Sequence, residues 1–134
     1  MNCVIDACAM IALLRRESGE DVVWRHLSDP DVASFAHAIN LCEVYYEFWR
    51  IGGEDAASGA IDDLKALGLV ERNDFDPGFW QEAGRLKAVH RRVSLADCCA
   101  LALTKRIGGM LLTSDHHELD PIVALGGCPI TFIR

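Results

Sequence analysis

Residues 3–16 read CVIDACAMIALLRR, and how they fold decides the rest of the chain. Cys3-Val4-Ile5 is short, apolar and partly β-branched, the pattern of a buried strand. It ends at Asp6, and ACAMIALLRR then runs on as a helix. A strand with no alternating polar face has both faces covered, which is the mark of a parallel sheet between helices. The same order returns at the far end, where MLLT (110–113) runs straight into Ser114-Asp115.

Between these ends the pattern repeats. A helical stretch follows Ser18-Gly19-Glu20 through about Leu27, Asp29-Pro30-Asp31 is a turn, and VASF is a second strand. A helix from about His37 to Arg50 is stopped by Gly52-Gly53, and AASGAIDDLKAL is helical before the short strand LVER. Asp76-Pro77 opens the helix FWQEAGRLKAVHR. Ser94 opens LADCCALALTKR, which Gly108-Gly109 ends. A short helix at Pro121 to Leu125 and the strand ITFI close the chain. The expected fold is α/β, a mainly parallel sheet with helices on both faces, in one domain over residues 1–134.

The bulk numbers exclude several classes. Half of the 134 residues are hydrophobic and a quarter are charged, the composition of an ordinary globular chain. No apolar run is long enough to span a bilayer, and MNCVID lacks the basic and apolar regions of a secretory signal. The six cysteines contain no C-x-x-C pair, so a reduced, cytoplasmic protein without structural zinc is expected. Thirteen basic against twenty acidic residues give a net charge of −7, which argues against long-range attraction to nucleic acid. A site built of carboxylates nevertheless looks repulsive only until cations fill it.

NLCEVYYEFWR (40–50) carries the most telling pattern. At about 100° per residue, Leu41, Val44, Tyr45 and Phe48 form one apolar face. Ile39, Cys42, Tyr46 and Trp49 cover most of the remainder, leaving a narrow stripe of Asn40, Glu43, Glu47 and Arg50. Such a helix is expected to be largely buried, with the stripe facing water or a polar site. Arg50 relieves Glu47, while no residue of the helix relieves Glu43.

In open α/β sheets ligands bind beyond the carboxyl ends of the strands. Asp6 and Asp115 fall there, Asp97 lies in the first turn after Ser94, and Glu43 sits on the polar stripe. Each has a plain alternative: Asp6 caps a helix, SLAD is a capping box, Asp115 with Glu118 is another, and Glu43 is a solvated side chain. As a set they match the hard oxygen ligands that Mg²⁺ and Mn²⁺ prefer. Such ions can activate water and stabilise the oxygens of an in-line attack on phosphorus. His116-His117, being adjacent, are expected on the surface and not as a ligand pair. The basic run RLKAVHRR (85–92) ends in Arg91 and Arg92, cations able to hold phosphates if Asp97 is catalytic.

VIDACAMIALLRRESGE, NLCEVYYEF, SLADCCALALT and LLTSDHHELD resemble, in order and spacing, the acidic motifs of the PIN domain, most closely the VapC-type toxins of bacterial toxin–antitoxin pairs. The resemblance covers the whole chain and implies a PIN-like three-layer sandwich. It implies catalytic, metal-binding acids at Asp6, Glu43, Asp97 and Asp115; the family's small polar residue maps onto Thr113 or Ser114 and its helix asparagine onto Asn40, both expected substrate contacts, to which the basic run adds Arg91 and Arg92. It further implies a Mg²⁺- or Mn²⁺-dependent endoribonuclease acting on RNA such as tRNA or rRNA, a homodimer, and a cognate antitoxin. One departure stands out. The family usually has D-A-S or D-T-S where this chain has Asp6-Ala7-Cys8, and a thiol is the weaker hydrogen-bond donor. The same residues leave two alternatives. One is a PIN-like scaffold that only binds a partner through Trp24, Tyr45, Tyr46, Trp49 and Trp80. The other is a haloacid-dehalogenase-type phosphatase, disfavoured because that chemistry needs an acid at position 8.

Overall fold

A computed structural model describes residues 1–126 and 128–134. Five strands, β1 (Asn2–Ile5), β2 (Ala33–His37), β3 (Val70–Arg72), β4 (Met110–Thr113) and β5 (Ile130–Phe132), form one sheet in the order β3-β2-β1-β4-β5. Every neighbouring pair is parallel. The chain moves outward from β1 in one direction to β2 and β3, then returns to the other side for β4 and β5. The direction therefore reverses between β1 and β4, where such sheets open a crevice at their carboxyl ends.

Six helices cover the sheet: α1 (Ala7–Leu14), α2 (Glu20–Ser28), α3 (Ala38–Ala66), α4 (Pro77–Val89), α5 (Leu95–Arg106) and α6 (His116–Leu125). The two-residue period of the strands divides the core. Cys3, Ile5 and Leu112 point to one face and pack with Met10, Val23, Val44 and Leu64 of α1, α2 and α3. Val4 and Leu111 point to the other and pack with Phe79, Leu101, Leu119 and Ile122 of α4, α5 and α6. This is the expected three-layer α/β sandwich. Helix α5 is buried without interruption from Asp97 to Thr104, the most enclosed run in the molecule.

Three element boundaries differ from expectation. Helix α3 does not stop at Gly52-Gly53: it continues to Ala66 through one non-helical residue, Gly53, at φ 78° and ψ −166°. A side chain there would be strained, so glycine bends the helix where sequence reading places its end. Helix α6 starts at His116, not near Pro121, because the Asp115 carboxylate caps it by accepting from the Glu118 amide. Strand β2 runs on to His37, whose ring then caps α3 by accepting from the Ile39 amide.

The expectation that the helix of residues 40–50 is largely buried also fails in part, and two further tryptophans share the exposure. Trp24, Tyr46, Trp49 and Trp80 are each nearly half exposed, and Ile39 and Cys42 lie at the surface as well. Helix α3 buries Leu41 and Val44 against the core, yet its second apolar stripe faces outward. Among the described residues no helix is long and apolar enough to cross a membrane.

Candidate metal centre

Helices α1, α5 and α6 begin at the carboxyl edge of the sheet, each with its own polar cap. Asp6 ends β1 and caps α1, its Oδ1 accepting from the Ala9 amide at 3.0 Å. Asp115 follows β4 and caps α6, its Oδ1 accepting from the Glu118 amide at 3.0 Å. Ser94 caps α5, its hydroxyl accepting from the Asp97 amide at 3.1 Å. The capping reading of Asp6 and Asp115 is thus correct and incomplete. One carboxylate oxygen of each satisfies its helix, and the second oxygen of each is not used by the cap. Helix N-termini favour negative charge, so the three helices offset part of the cost of collecting acids here.

One carboxylate oxygen from each of Asp97, Asp115 and Glu118 lies within 4.8 Å of the other two. Asp6 is fully buried behind them, and its Oδ2 has no hydrogen-bond partner among the described residues. An orphaned buried carboxylate oxygen costs free energy that a cation would recover. Glu43 approaches from α3. It interacts with Asp6 and Glu118, while Glu47, its neighbour one turn along, is drawn off by Arg15 and Arg50 at 3.9 and 3.6 Å.

The proton affinities report the crowding. Burial raises the Asp6 carboxyl above its ordinary range. Burial, followed by the charges of Asp6, Glu118 and Glu47, pushes Glu43 up to about 7. Burial and the hydrogen bond to Glu118, with the charges of Asp6 and Asp115 behind them, push Asp97 upward too, while that same bond holds Glu118 down. The bond thus moves Asp97 and Glu118 in opposite directions, as expected of two carboxylates too close to ionise together. Five carboxylates, of which Asp6, Glu43 and Asp97 have a raised proton affinity, supply hard oxygen donors that fit Mg²⁺ or Mn²⁺.

Cys8 stands where a hydroxyl was expected. Its thiol donates to Asp6 Oδ1 at 3.0 Å, accepts from the Ser114 amide at 3.4 Å and lies 3.5 Å from Thr113 Oγ1. Burial, reinforced by the charge on Asp6, raises the thiol to about 12, so it stays protonated and able to donate. Sulfur thus spans the gap between the ends of β1 and β4.

Of the sequence-predicted residues, Asp97 and Asp115 meet directly, and Asp6 and Glu43 share their field. Thr113 is buried, with its hydroxyl accepting from the Asp115 amide at 3.0 Å, so it buttresses an acid and does not face an open surface. Asn40 is also buried. Its Nδ2 donates to the Ala96 carbonyl at 3.4 Å, tying α3 to the start of α5, and its Oδ1 is unpartnered among the described residues. Ser114 is half-buried at the rim, while Arg91 and Arg92 are exposed on the turn before α5. His116 and His117 lie at the surface as expected. Glu118 was missed as a site residue. Its signal was the D-x-x-E spacing after β4, which reads equally well as a capping box.

A family model described as the PIN domain matches residues 3–120. No curated protein matches the sequence. Among solved structures, VapBC2 from Rickettsia felis bound to a promoter DNA fragment aligns over 98% of both chains with TM-score 0.74 at 13% identity. VapBC-1 from nontypeable Haemophilus influenzae aligns over 99% of this chain and 98% of that one, with TM-score 0.74 at 14% identity. Mycobacterium tuberculosis VapC20, a sarcin-ricin loop cleaving toxin, aligns over 94% and 95%, with TM-score 0.68 at 17% identity. These likenesses establish a shared fold.

Proposed function

This chain belongs to the PIN domain family, and on that footing we propose that it is a Mg²⁺- or Mn²⁺-dependent endoribonuclease, the toxin of a toxin–antitoxin pair. The observation that carries the reading is the convergence of Asp6, Glu43, Asp97, Asp115 and Glu118 at the point where the sheet order reverses. Asp97, Asp115 and Glu118 would hold the cation, with Asp6, whose Oδ2 is unpartnered among the described residues, close enough to feel the charge of Asp115. A bound divalent ion activates water for in-line attack and neutralises charge on the phosphate oxygens.

The remaining residues prepare the site. Thr113 and Cys8 fix the carboxylates of Asp115 and Asp6 through the backbone amide and the thiol described above. Asn40 locks α3 against α5, and so sets where Glu43 stands relative to Asp97. Glu43, with its raised proton affinity, is placed to exchange a proton with water or with the leaving oxygen near neutral pH. Burial of Asp6 and Asp97 keeps bulk water away from those two acids, which strengthens their charge interactions with the half-buried Glu43, Asp115 and Glu118.

Partners fit the same reading. Solved neighbours include toxin–antitoxin complexes, which supports a cognate antitoxin. The exposed stripe of Ile39, Tyr46 and Trp49 on α3 supports a homodimer. VapC20 is described as cleaving the sarcin-ricin loop, which supports structured RNA as the substrate class. The test is cleavage of a total RNA pool by protein freed of antitoxin by unfolding and refolding, in Mg²⁺, Mn²⁺ or EDTA. Discrete fragments from wild type only, absent with EDTA and with Asp97→Asn, are expected. Fragments that survive EDTA, or an active Asp97→Asn protein, would overturn the assignment.

A further inference from the structure

The geometry points to a second element of the site: a cleft beside the carboxylates that binds the single-stranded nucleotide flanking the scissile phosphate, with arginines on its phosphate and an apolar floor under its base. This inference rests on the nuclease reading above. The cleft encloses about 220 Å³ between the α4–α5 turn and the first turns of α6. Glu118 lines it and also belongs to the carboxylate cluster, so the two spaces adjoin.

The cations of the cleft are distinguished by being unpaired and by where they stand. Arg15, Arg25, Arg50, Arg72, Arg85, Arg106 and Arg134 each pair with a carboxylate. Arg16, Arg91 and Arg92 form no ion pair among the described residues; of these, Arg16 lines a separate cavity beside α1, while Arg91 and Arg92 line the cleft that Glu118 shares with the acids. Their turn is nevertheless well held. Lys87 donates to the carbonyls of Arg91 and Val93 at 2.9 and 2.8 Å, and the Val93 amide donates to the His90 carbonyl at 3.0 Å. The backbone is pinned by other groups, which leaves both guanidinium groups free for a ligand.

The two adjacent histidines divide their roles in the same way. His116 is committed to structure: it stacks on Phe132 at 3.8 Å and bonds to Asp120 and to the Arg134 carbonyl. His117 makes no hydrogen bond among the described residues and lines the cleft opposite His90. Val93 and Ile122 supply the buried apolar floor. Guanidinium groups grip phosphate in a bidentate fork and stack on bases, and unpaired RNA bases are recognised on such mixed surfaces. A chain of net charge −7 has weak long-range attraction for RNA, so a local pair of free cations next to the acids is where a polyanion gains its hold.

The experiment measures fluorescence anisotropy of a labelled mixed-sequence single-stranded RNA, in Ca²⁺, across a salt series. Wild type is compared with Arg91→Gln/Arg92→Gln and with Arg25→Gln, an exposed arginine on α2. The double variant should bind about tenfold more weakly, and its slope of log K against log salt should fall by about 1 to 2. Its Mn²⁺ affinity and melting temperature should match wild type, and Arg25→Gln should change neither RNA affinity nor slope. Unchanged binding by the double variant, or an equal loss in Arg25→Gln, would overturn the cleft while leaving the nuclease reading intact. A wild-type protein that binds no single-stranded RNA would overturn the cleft, while cleavage of the total RNA pool decides the nuclease reading separately.

Discussion

Across Gly53, helix α3 changes character. The C-terminal half is conventional: Ala57, Ala60 and Leu64 are buried, while Asp62, Asp63 and Lys65 face solvent. The N-terminal half is inverted along two of its stripes. Asn40 is fully buried and Glu43 half-buried, whereas Ile39, Tyr46 and Trp49 stand exposed. Hydrophobic burial alone would turn this segment the other way, since each half-exposed aromatic forgoes about 1 kcal/mol of transfer free energy. The inversion persists because Leu41 and Val44 hold the helix by a third face. The lesson is local: a helix can present acids inward and aromatics outward when a third face supplies its hold on the core.

Each half can be perturbed alone. Leu64→Ala, in the conventional half, should cost about 2–5 kcal/mol of stability in denaturant unfolding and leave Mn²⁺ affinity unchanged. Loss of metal binding at unchanged stability would mean that the halves are not separable. Trp49→Glu, in the inverted half, should weaken self-association by about 30-fold or more in light scattering, with no loss of melting temperature. A wild-type protein that is monomeric at every concentration removes that role for the stripe.

Glu118→Gln probes the inner side. Mn²⁺ affinity should fall by about 10–100-fold in calorimetry, yet α6 should stay folded, because its cap uses the Glu118 amide and not the side chain. The smallest effect is in pH. The folded-state proton affinity of Glu43 is raised to about 7, so its stabilising contribution is complete below its ordinary range and is lost as pH rises through 7. Asp97 acts in the same direction. Glu82 has the opposite sign: the hydrogen bonds from Arg85 and Lys105 hold it near 2, so its contribution is lost as pH falls toward that value. Metal-free protein should therefore melt a few degrees lower at about pH 8 than at about pH 5, with Mn²⁺ reversing the trend. A melting temperature that rises steadily across that window would contradict the crowding of acids.

How much of this was legible in the sequence depends on the range of the forces involved. Strand identity and the α/β class were readable because Cys3-Val4-Ile5 and MLLT are dictated by local apolarity. Asp6 and Asp115 were placed correctly because a strand end fixes a position in the crevice. The exposed stripe on α3 was not legible, since which apolar face meets the core depends on residues far along the chain. Glu118 escaped because its spacing suits a cap as well as a ligand, and only the approach of Asp97 from α5 separates the two. The bend at Gly53 was anticipated as a stop, because glycine permits a departure from helical geometry and does not determine whether the helix resumes beyond it.

The most direct test is a calorimetric titration of metal-free protein with Mn²⁺, wild type beside Asp97→Asn, at neutral pH. Saturable binding by wild type, weakened by more than about 100-fold in a folded Asp97→Asn protein, is the predicted result. Equal binding by both proteins, or no binding by either, would contradict the claim that these carboxylates form a cation site.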